Sequence, residues 1–151
     1  MPKKLKRTLI VGVTGQLATG KSTVASMFAE RGAAVINADL LAHRALRPHG
    51  ACFKKVVRIF GKDVLKKGEI DRKVLAGIVF SDEKKLKKLE GIIHPFVVKE
   101  TRRQAGLFKK IGKSVVVLDV PLLYESNMDN GTDLTVAVKA SRPVQLKRIA
   151  Q

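Results

Sequence analysis

Short apolar segments and a helix-like segment alternate at the start of the chain. RTLIVGV (7–13) is short, apolar and followed by a turn signal, which is typical of a buried strand. In KSTVASMFAERG (21–32) apolar residues recur every three to four positions, and Gly32 is a suitable C-terminal stop. AAVIN (33–37) has the pattern of a second short strand. We therefore predict a strand, a helix and a strand in this order.

The middle of the chain has helical patterning and few strand signals. Asp39 begins one helical stretch, and the spacing of apolar residues stays helical from residue 51 to residue 112. Within this part Ser81 is the predicted N-cap of a helix, because two acidic residues follow it. Pro95 is the predicted first position of a separate helix, where its missing N–H costs no hydrogen bond.

Strand patterning returns towards the end of the chain. SVVVLDV (114–120) and DLTVAVKA (133–140) are apolar and rich in valine, and a final helix is predicted after them. This order of elements predicts an α/β fold with a parallel sheet. We expect residues 1–50 and 113–151 to form the core with the sheet, and residues 51–112 to form a helical insertion packed beside it.

Composition and charge restrict the class of protein. The length of 151 residues suits one domain, 45% of the residues are hydrophobic, and no apolar run approaches the roughly 18 residues of a membrane span. The single cysteine, Cys52, excludes an internal disulfide framework and favours a reducing compartment, by default the cytoplasm. A net charge of +17 favours polyanionic partners, either nucleic acid or a phosphorylated small molecule.

The segment between the first predicted strand and helix carries the most specific motif. Gly15–Ser22 has the sequence GQLATGKS and matches G-x-x-x-x-G-K-[ST], the pattern of a phosphate-binding loop. Glycines allow backbone amides to converge on a phosphate, and the following helix adds its positive N-terminal end. In such loops a lysine like Lys21 lies near the β- and γ-phosphates, and a hydroxyl like that of Ser22 binds Mg²⁺.

Four further residues are candidates for the site, and each has a structural alternative. Asp119 ends the apolar run VVVLD and either holds the Mg²⁺ shell or caps a turn. Asp39 follows the second strand and either caps a helix or accepts a proton from an attacking hydroxyl. His94 and Arg72 are weaker candidates, since a lone histidine is more often structural and Arg72 has acidic neighbours in the sequence.

Taken together, these motifs resemble those of the dephospho-coenzyme A kinase family in their order along the chain. The resemblance covers essentially all 151 residues. The resemblance is based on the segments IVGVTGQLATGKSTVASMFAERGAAVINAD (10–39), LLAHRALRP (40–48), GEIDRKVLAGIVF (68–80), IIHPFV (92–97) and DVPLLYES (119–126). Many NTPases share the phosphate loop, whereas the ordered set is rare outside this family. The resemblance implies a three-layer phosphate-loop NTPase fold.

The resemblance also implies a reaction and a set of site residues. ATP would donate its γ-phosphoryl group to the ribose 3′-hydroxyl of dephospho-coenzyme A, with Asp39 and Lys21 as catalytic residues and Mg²⁺ held by Ser22 and Asp119. The implied ATP-binding residues are Gly15, Ala18, Thr19, Gly20, Lys21, Ser22 and Thr23. The implied acceptor-binding residues are Asp39, Arg72, His94, Leu122, Leu123 and Glu125, with the helical insertion as the acceptor-binding region.

The chain departs from the family pattern in its loop and in its length. Gln16 and Ala18 stand where glycine and a small residue are commoner, but both positions are variable, so we expect phosphate binding to survive. Family members are about a quarter longer. We therefore expect that a C-terminal strand and helix of the fold, together with a lid arginine, are missing.

Other functions remain open from the sequence. A chain without the lid would be a nucleotide- or acceptor-binding protein with little catalysis, and a nucleoside-phosphate kinase is the nearest alternative enzyme. A basic nucleic-acid binder is supported by the charge of +17 alone. We expect a small-molecule substrate rather than nucleic acid or a membrane as the partner, and the sequence leaves the oligomeric state open.

Overall fold

The computed structural model describes residues 7–121, 123 and 128–150. The described residues pack into two compact units. The first unit contains the chain up to Ala38 and from Thr101 onwards, and the second contains Asp39–Glu100. These units describe packing and not ligand binding, so the acceptor-binding region at residues 51–112 stays a prediction.

Six strands and six α-helices are present in the described part of the chain. In chain order they are β1 (Leu9–Thr14), α1 (Lys21–Glu30), β2 (Ala34–Asn37), α2 (Ala38–Ala45), α3 (Phe53–Phe60), β3 (Leu65–Lys66), β4 (Glu69–Ile70), α4 (Arg72–Phe80), α5 (Glu83–Lys110), β5 (Val115–Asp119), β6 (Leu134–Ala137) and α6 (Arg142–Ile149). Two short 3₁₀ turns lie at Lys62–Val64 and Asp129–Gly131.

The first unit contains a four-stranded parallel sheet, as the sequence predicts. Its strand order is β2-β5-β1-β6, and all three pairings are parallel. Val11, Val13 and Val117 are almost fully buried in the central strands, and Phe28 of α1 packs against them. Parallel strands of this kind are covered on both faces, which explains their nearly continuous apolar sequence. The carboxyl ends of all four strands meet at one edge of the sheet.

The second unit is mainly helical and has its own hydrophobic core. Val56 of α3, Val64, Leu75 of α4 and Ile92 of α5 form the centre of this core. The strands β3 and β4 form a short antiparallel hairpin that the sequence analysis did not predict. Each strand has only two residues, so no alternating pattern is long enough to be detected.

Two predicted helix boundaries in this region are wrong. Asp82, and not Ser81, caps α5, because its carboxylate accepts the backbone N–H groups of Lys84 and Lys85 at 2.9 and 3.3 Å. Ser81 is instead the C-cap residue that follows α4, and its hydroxyl donates to the carbonyl of Ile78. A carboxylate is a strong N-cap, and here it lies one position nearer the helix.

The helix α5 continues through Pro95 instead of beginning there. A proline inside a helix removes one hydrogen bond and crowds the carbonyl four residues before it, here that of Gly91, at a cost of about 3 kcal/mol. Ile92 and Val97 are buried on either side of Pro95. Packing of both halves of the helix therefore offsets the local cost, which the sequence does not reveal.

No helix among the described residues combines the length and the apolar character that are needed to cross a membrane. The longest helix, α5, has 28 residues, but it carries charged residues along its length.

Candidate active site

The loop between β1 and α1 has a backbone shape that requires its glycines. Gly20 has a φ of 100°, in the left-handed region that side chains disfavour. A Cβ on Gly15 would collide with the carbonyl oxygen of Val138 and would stand 2.9 Å from the Thr19 hydroxyl. Ala18 has a φ of 59°, so a residue with a side chain also adopts the left-handed conformation here. The motif glycines are therefore explained by close approach and by backbone geometry.

Hydrogen bonds close this loop on itself. The carbonyl of Gln16 accepts three of them: from the Thr19 hydroxyl at 2.8 Å, from the Thr19 N–H at 3.4 Å and from the Lys21 Nζ at 3.3 Å. Thr19 is only 6% exposed, so it is the buried anchor of the loop. The lysine ammonium is thereby held across the loop against a neutral oxygen, and its positive charge remains available to an anion.

The first turn of α1 is suited to bind an anion. Gly20 occupies the N-cap position, no side chain caps the helix, and its first turn contains no acidic residue. The first N–H groups of a helix lack partners within it and carry the positive end of the helix dipole. Ser22 and Thr23 are exposed on this turn, beside the half-buried Lys21. All seven predicted ATP-binding residues thus lie in one continuous loop and helix start.

Asp119 lies at the carboxyl end of β5, beside the start of the loop. It is 5% exposed and pairs in register with Val13 of β1 and Asn37 of β2. The Asn37 amide donates to the Asp119 carboxylate at 2.8 Å, and the Thr14 hydroxyl donates to the carbonyl of Pro121 at 3.1 Å. The sequence analysis missed Asn37, although a polar residue at the end of an apolar strand is a usable signal.

The side chains of Ser22 and Asp119 have the chemistry that Mg²⁺ prefers. A serine hydroxyl and a carboxylate are hard oxygen ligands, which Mg²⁺ prefers over nitrogen and sulfur. Magnesium in kinase sites takes one or two carboxylates and completes its shell with water and substrate phosphates. The described residues contain no group of three or more His, Cys, Asp or Glu side chains arranged around a metal. Ser22 and Asp119 each carry an oxygen of this kind, and their joint role in binding Mg²⁺ stays a prediction.

The second unit has a cationic cavity around Arg72, the first residue of α4. Arg72 Nη1 donates to the His43 ring, at 2.6 Å from Nε2 and 3.1 Å from Nδ1. The adjacent cavity has a volume of about 260 Å³. Its lining residues are His43, Leu46, Arg47, Pro48, Glu69, Ile70 and Arg72. The sequence analysis identified Arg72 but missed His43 and Arg47, which lie four residues apart on α2 and just after it.

The structure places the other predicted site residues in varied environments. Asp39 is the second residue of α2 and is exposed, and His94 is exposed on α5. Leu123 is 0% exposed and packs so closely against β1 that a Cβ on Gly12 would stand 2.7 Å from its Cδ2 atom. Leu122 and Glu125 lie outside the described residues. The acceptor-binding roles of these residues stay predictions.

Burial determines the chemistry of the single cysteine. Burial raises the pKa of the Cys52 thiol above its ordinary value, and the charge of Lys55 opposes this change. The thiol lies 3.6 Å from the carbonyl of Ile92 within the core of the second unit. A buried thiol with a raised pKa is a poor nucleophile. Cys52 is therefore a packing residue.

Comparisons with known proteins agree with this geometry. A family model described as dephospho-CoA kinase matches residues 9–151. The chain is 40% identical over 143 residues to a dephospho-CoA kinase of Bacillus cereus, and the match covers 94% of this chain and 72% of that relative.

Solved structures share the fold. The crystal structure of TT1252 from Thermus thermophilus is 33% identical, with a TM-score of 0.78 over 95% of this chain and 72% of that one. Dephospho-CoA kinase from Campylobacter jejuni is 23% identical, with a TM-score of 0.65 over 95% of both chains. This second likeness shows the fold, and it confirms the predicted α/β architecture with a parallel sheet.

Proposed function

This chain belongs to the dephospho-CoA kinase family, and on that premise we propose that it transfers the γ-phosphoryl group of ATP to the ribose 3′-hydroxyl of dephospho-CoA. The products are CoA and ADP. The observation that carries the proposal is the closed phosphate loop before an uncapped helix, with Lys21 held across it. Such a loop binds a polyphosphate through backbone amides and one lysine.

The loop residues grip the phosphates of ATP and stabilise the charge that moves during transfer. Backbone N–H groups from Gly15 to Thr23 and the N-terminus of α1 attract the phosphate oxygens. Lys21 leaves the Gln16 carbonyl and binds a phosphate oxygen, which is a stronger, charge-assisted partner. Phosphoryl transfer depends mainly on such positioning and charge neutralisation.

Ser22 and Asp119 would hold Mg²⁺ at this site. When bound, the ion neutralises negative charge on the phosphates of ATP. The amide of Asn37 donates to the Asp119 carboxylate and fixes its orientation, as partners of metal-binding carboxylates commonly do.

Asp39 acts as the general base in this proposal. Asp39 is exposed in the first turn of the helix that follows β2. Its carboxylate takes the proton of the 3′-hydroxyl as the ribose oxygen bonds to the γ-phosphorus. The bond between that phosphorus and the bridging oxygen breaks at the same time, and ADP leaves with the electron pair. The family motif supports this role, as does the position of Asp39 after a strand end, where ligands bind in open α/β sheets.

The cationic cavity of the second unit binds the diphosphate of the acceptor in this proposal. Arg72 and Arg47 line it and carry charge suited to phosphate oxygens, and His43 is in contact with Arg72. Arginine binds phosphate with two parallel hydrogen bonds, which positions the ligand as well as attracting it. The roles of His94, Leu122, Leu123 and Glu125 in acceptor binding rest on the family motifs.

A coupled ADP-release assay on this chain tests the proposal. ATP consumption is expected to depend on dephospho-CoA, and the isosteric Asp39→Asn variant should lose on the order of 100-fold or more in kcat, as expected for the loss of a general base. The exposed Asp63 provides a matched control, because Asp63→Asn makes the same change at a residue that is not assigned to the site. Full turnover by Asp39→Asn would remove Asp39 from the base role.

Substrate alternatives are separated by the same assay. Faster turnover with a nucleoside monophosphate than with dephospho-CoA would identify a nucleoside-phosphate kinase. ATP binding by calorimetry without any turnover would identify a nucleotide-binding protein with little catalysis.

A further inference from the structure

Arg148 of α6 reaches the phosphate loop from a sequence distance of 130 residues. Its Nη1 atom donates to the carbonyl oxygen of Ala18 at 3.0 Å. The same nitrogen lies 3.5 Å from the point where a Cβ of Gly20 would stand. The guanidinium therefore packs over the two loop residues whose φ angles, 59° and 100°, are left-handed.

The contact acts on the one left-handed position of the loop that is not a glycine. Ala18 bears a steric cost for its φ of 59°, because its Cβ crowds the following carbonyl in this conformation. A residue with a side chain keeps a strained backbone conformation of this kind only where contacts with the surrounding structure hold it there. The hydrogen bond from Arg148 is one such contact, since it fixes the carbonyl of Ala18 itself.

Both ends of the peptide unit between Ala18 and Thr19 are held. Its carbonyl oxygen accepts from Arg148, and its N–H donates to the carbonyl of Gln16 at 3.4 Å. The Thr19 hydroxyl bonds to the same Gln16 carbonyl at 2.8 Å and strengthens that side. Rotation of this peptide plane would break both hydrogen bonds. The two bonds together therefore fix the orientation of the peptide between Ala18 and Thr19.

We propose that Arg148 is a positioning residue of the phosphate loop, which holds Ala18 in its left-handed conformation and so preorganises the loop amides for a triphosphate. The inference rests on the proposed function in one respect, namely that this loop binds ATP. Preorganisation increases affinity because less conformational entropy is lost when the ligand binds. Arginine suits this task because its guanidinium only donates and stays charged.

A double-mutant cycle with Arg148→Met and Ala18→Gly tests the mechanism. Methionine keeps an unbranched apolar stem and removes every donor, and glycine adopts positive φ without steric cost. By calorimetry with Mg-ATP, Arg148→Met should weaken binding about tenfold, as expected for a hydrogen bond from a charged donor. In the Ala18→Gly background the same change should cost less than about threefold, because the left-handed conformation no longer needs support.

The exposed neighbour Lys147 provides the matched control. Lys147→Met removes the same charge from the same helix and should leave ATP affinity unchanged. A direct bond from Arg148 to a phosphate predicts equal losses in the wild-type and Ala18→Gly backgrounds and substantial rescue by Arg148→Lys. The proposal would be overturned if Arg148→Met reduced ATP affinity equally in the two backgrounds. It would also be overturned if Arg148→Met did not reduce ATP affinity at all.

A second measurement does not require ATP. The three-bond HN–Hα coupling of Ala18, measured by NMR on the ligand-free protein, reports its φ angle. It should change in Arg148→Met and stay constant in Lys147→Met. An unchanged coupling in Arg148→Met overturns the positioning role. A wild-type chain that fails to bind ATP overturns the proposed function instead, and the coupling still tests Arg148 in that case.

Discussion

At the amino end of the parallel sheet an arginine and an aspartate bind each other, whereas at its carboxyl end a lysine donates to a neutral carbonyl. At the amino end Arg7 lies 2.5 Å from the carboxylate of Asp133. The second carboxylate oxygen accepts the N–H of Ile10 at 2.8 Å, and the Ile10 carbonyl accepts the N–H of Asp133 at 2.8 Å. The aspartate joins β1 to the start of β6.

The carboxyl end has a different arrangement of the same residue types. Lys21 donates to the carbonyl of Gln16, and Asp119 accepts from the amide of Asn37. The carbonyl that Lys21 meets is uncharged. The uncapped N-terminus of α1 adds positive potential at this end.

This difference distinguishes charged side chains that stabilise the fold from charged side chains that are available to a ligand. An ion pair within the fold gives a ligand little reason to bind, because each charge already has its counter-charge. A lysine against a neutral carbonyl retains most of its attraction for a phosphate, which then replaces the carbonyl. The carboxyl end of a parallel sheet is also where ligands bind in open α/β folds. The partners of Arg7 and Lys21 thus distinguish the two ends without reference to motifs.

The largest expected effect comes from the loss of Lys21, for which Arg7 provides the control. Lys21→Ala should reduce kcat/KM for ATP on the order of 100- to 1000-fold, as for other preorganised groups that stabilise transferring charge. Arg7→Ala removes a cation of the opposite end, whose side chain is 87% exposed, and should leave turnover unchanged. The ADP-release assay measures both. Comparable losses in the two variants would contradict the distinction between the ends.

The next largest effect is expected from the carboxylate beside the loop. Asp119→Asn keeps an oxygen that can accept from Asn37 but removes the negative charge that attracts Mg²⁺. The Mg²⁺ concentration for half-maximal activity should rise by at least about 10- to 100-fold, because the loss of even an outer-shell partner of a metal ligand has an effect of this size. A titration of activity with Mg²⁺ measures this shift. An unchanged Mg²⁺ requirement would exclude Asp119 from the metal site.

A smaller effect is expected from one added methyl group. Gly15→Ala places a Cβ against the carbonyl of Val138, and overpacking of this kind costs on the order of 1–3 kcal/mol. ATP affinity should fall about tenfold if the loop takes up the strain. Gly131, in the turn before β6, has open space around its Cα and provides the control. Gly131→Ala should leave ATP binding by calorimetry unchanged, and an equal loss in both variants would contradict this account.

Features that depend on local sequence were predictable. The strands β1, β2 and β5 have apolar runs bounded by turn signals, and the phosphate loop has a fixed spacing of glycine, lysine and serine. The parallel sheet followed from the order of the elements. The family resemblance, which the comparisons confirm, came from the order of several motifs and not from any one of them.

Features that depend on distant packing were not predictable. The continuity of α5 through Pro95 depends on burial on both sides of the proline. The partnership of Asn37 with Asp119 joins residues 82 positions apart, and that of Arg148 with Ala18 joins residues 130 positions apart. A single sequence contains no local pattern for such contacts, because each side chain is ordinary in its own segment.

The smallest effect on activity, and the clearest effect on stability, is expected from Asp133. Its bond from the Ile10 N–H, and then the bond from Arg7, lower the pKa of its carboxyl below the ordinary value of 3.8. The folded state therefore prefers the charged form of Asp133. The stabilisation that this carboxylate provides is complete above the pKa of the unfolded state, near 3.8, and is lost as the pH falls through the lower pKa of the folded state.

Asp133→Asn keeps an acceptor for Ile10 and removes only the charge, so it should lower the melting temperature at neutral pH and leave ATP turnover unchanged. The difference in melting temperature from wild type should shrink as the pH falls below 3.8, because the protonated aspartate then resembles asparagine. Calorimetric unfolding across this range measures the difference. A difference in melting temperature that stays constant with pH would show that the geometry of the Asp133 side chain, and not its charge, stabilises the amino end. A loss of turnover in Asp133→Asn would show that this end of the sheet also contributes to the site.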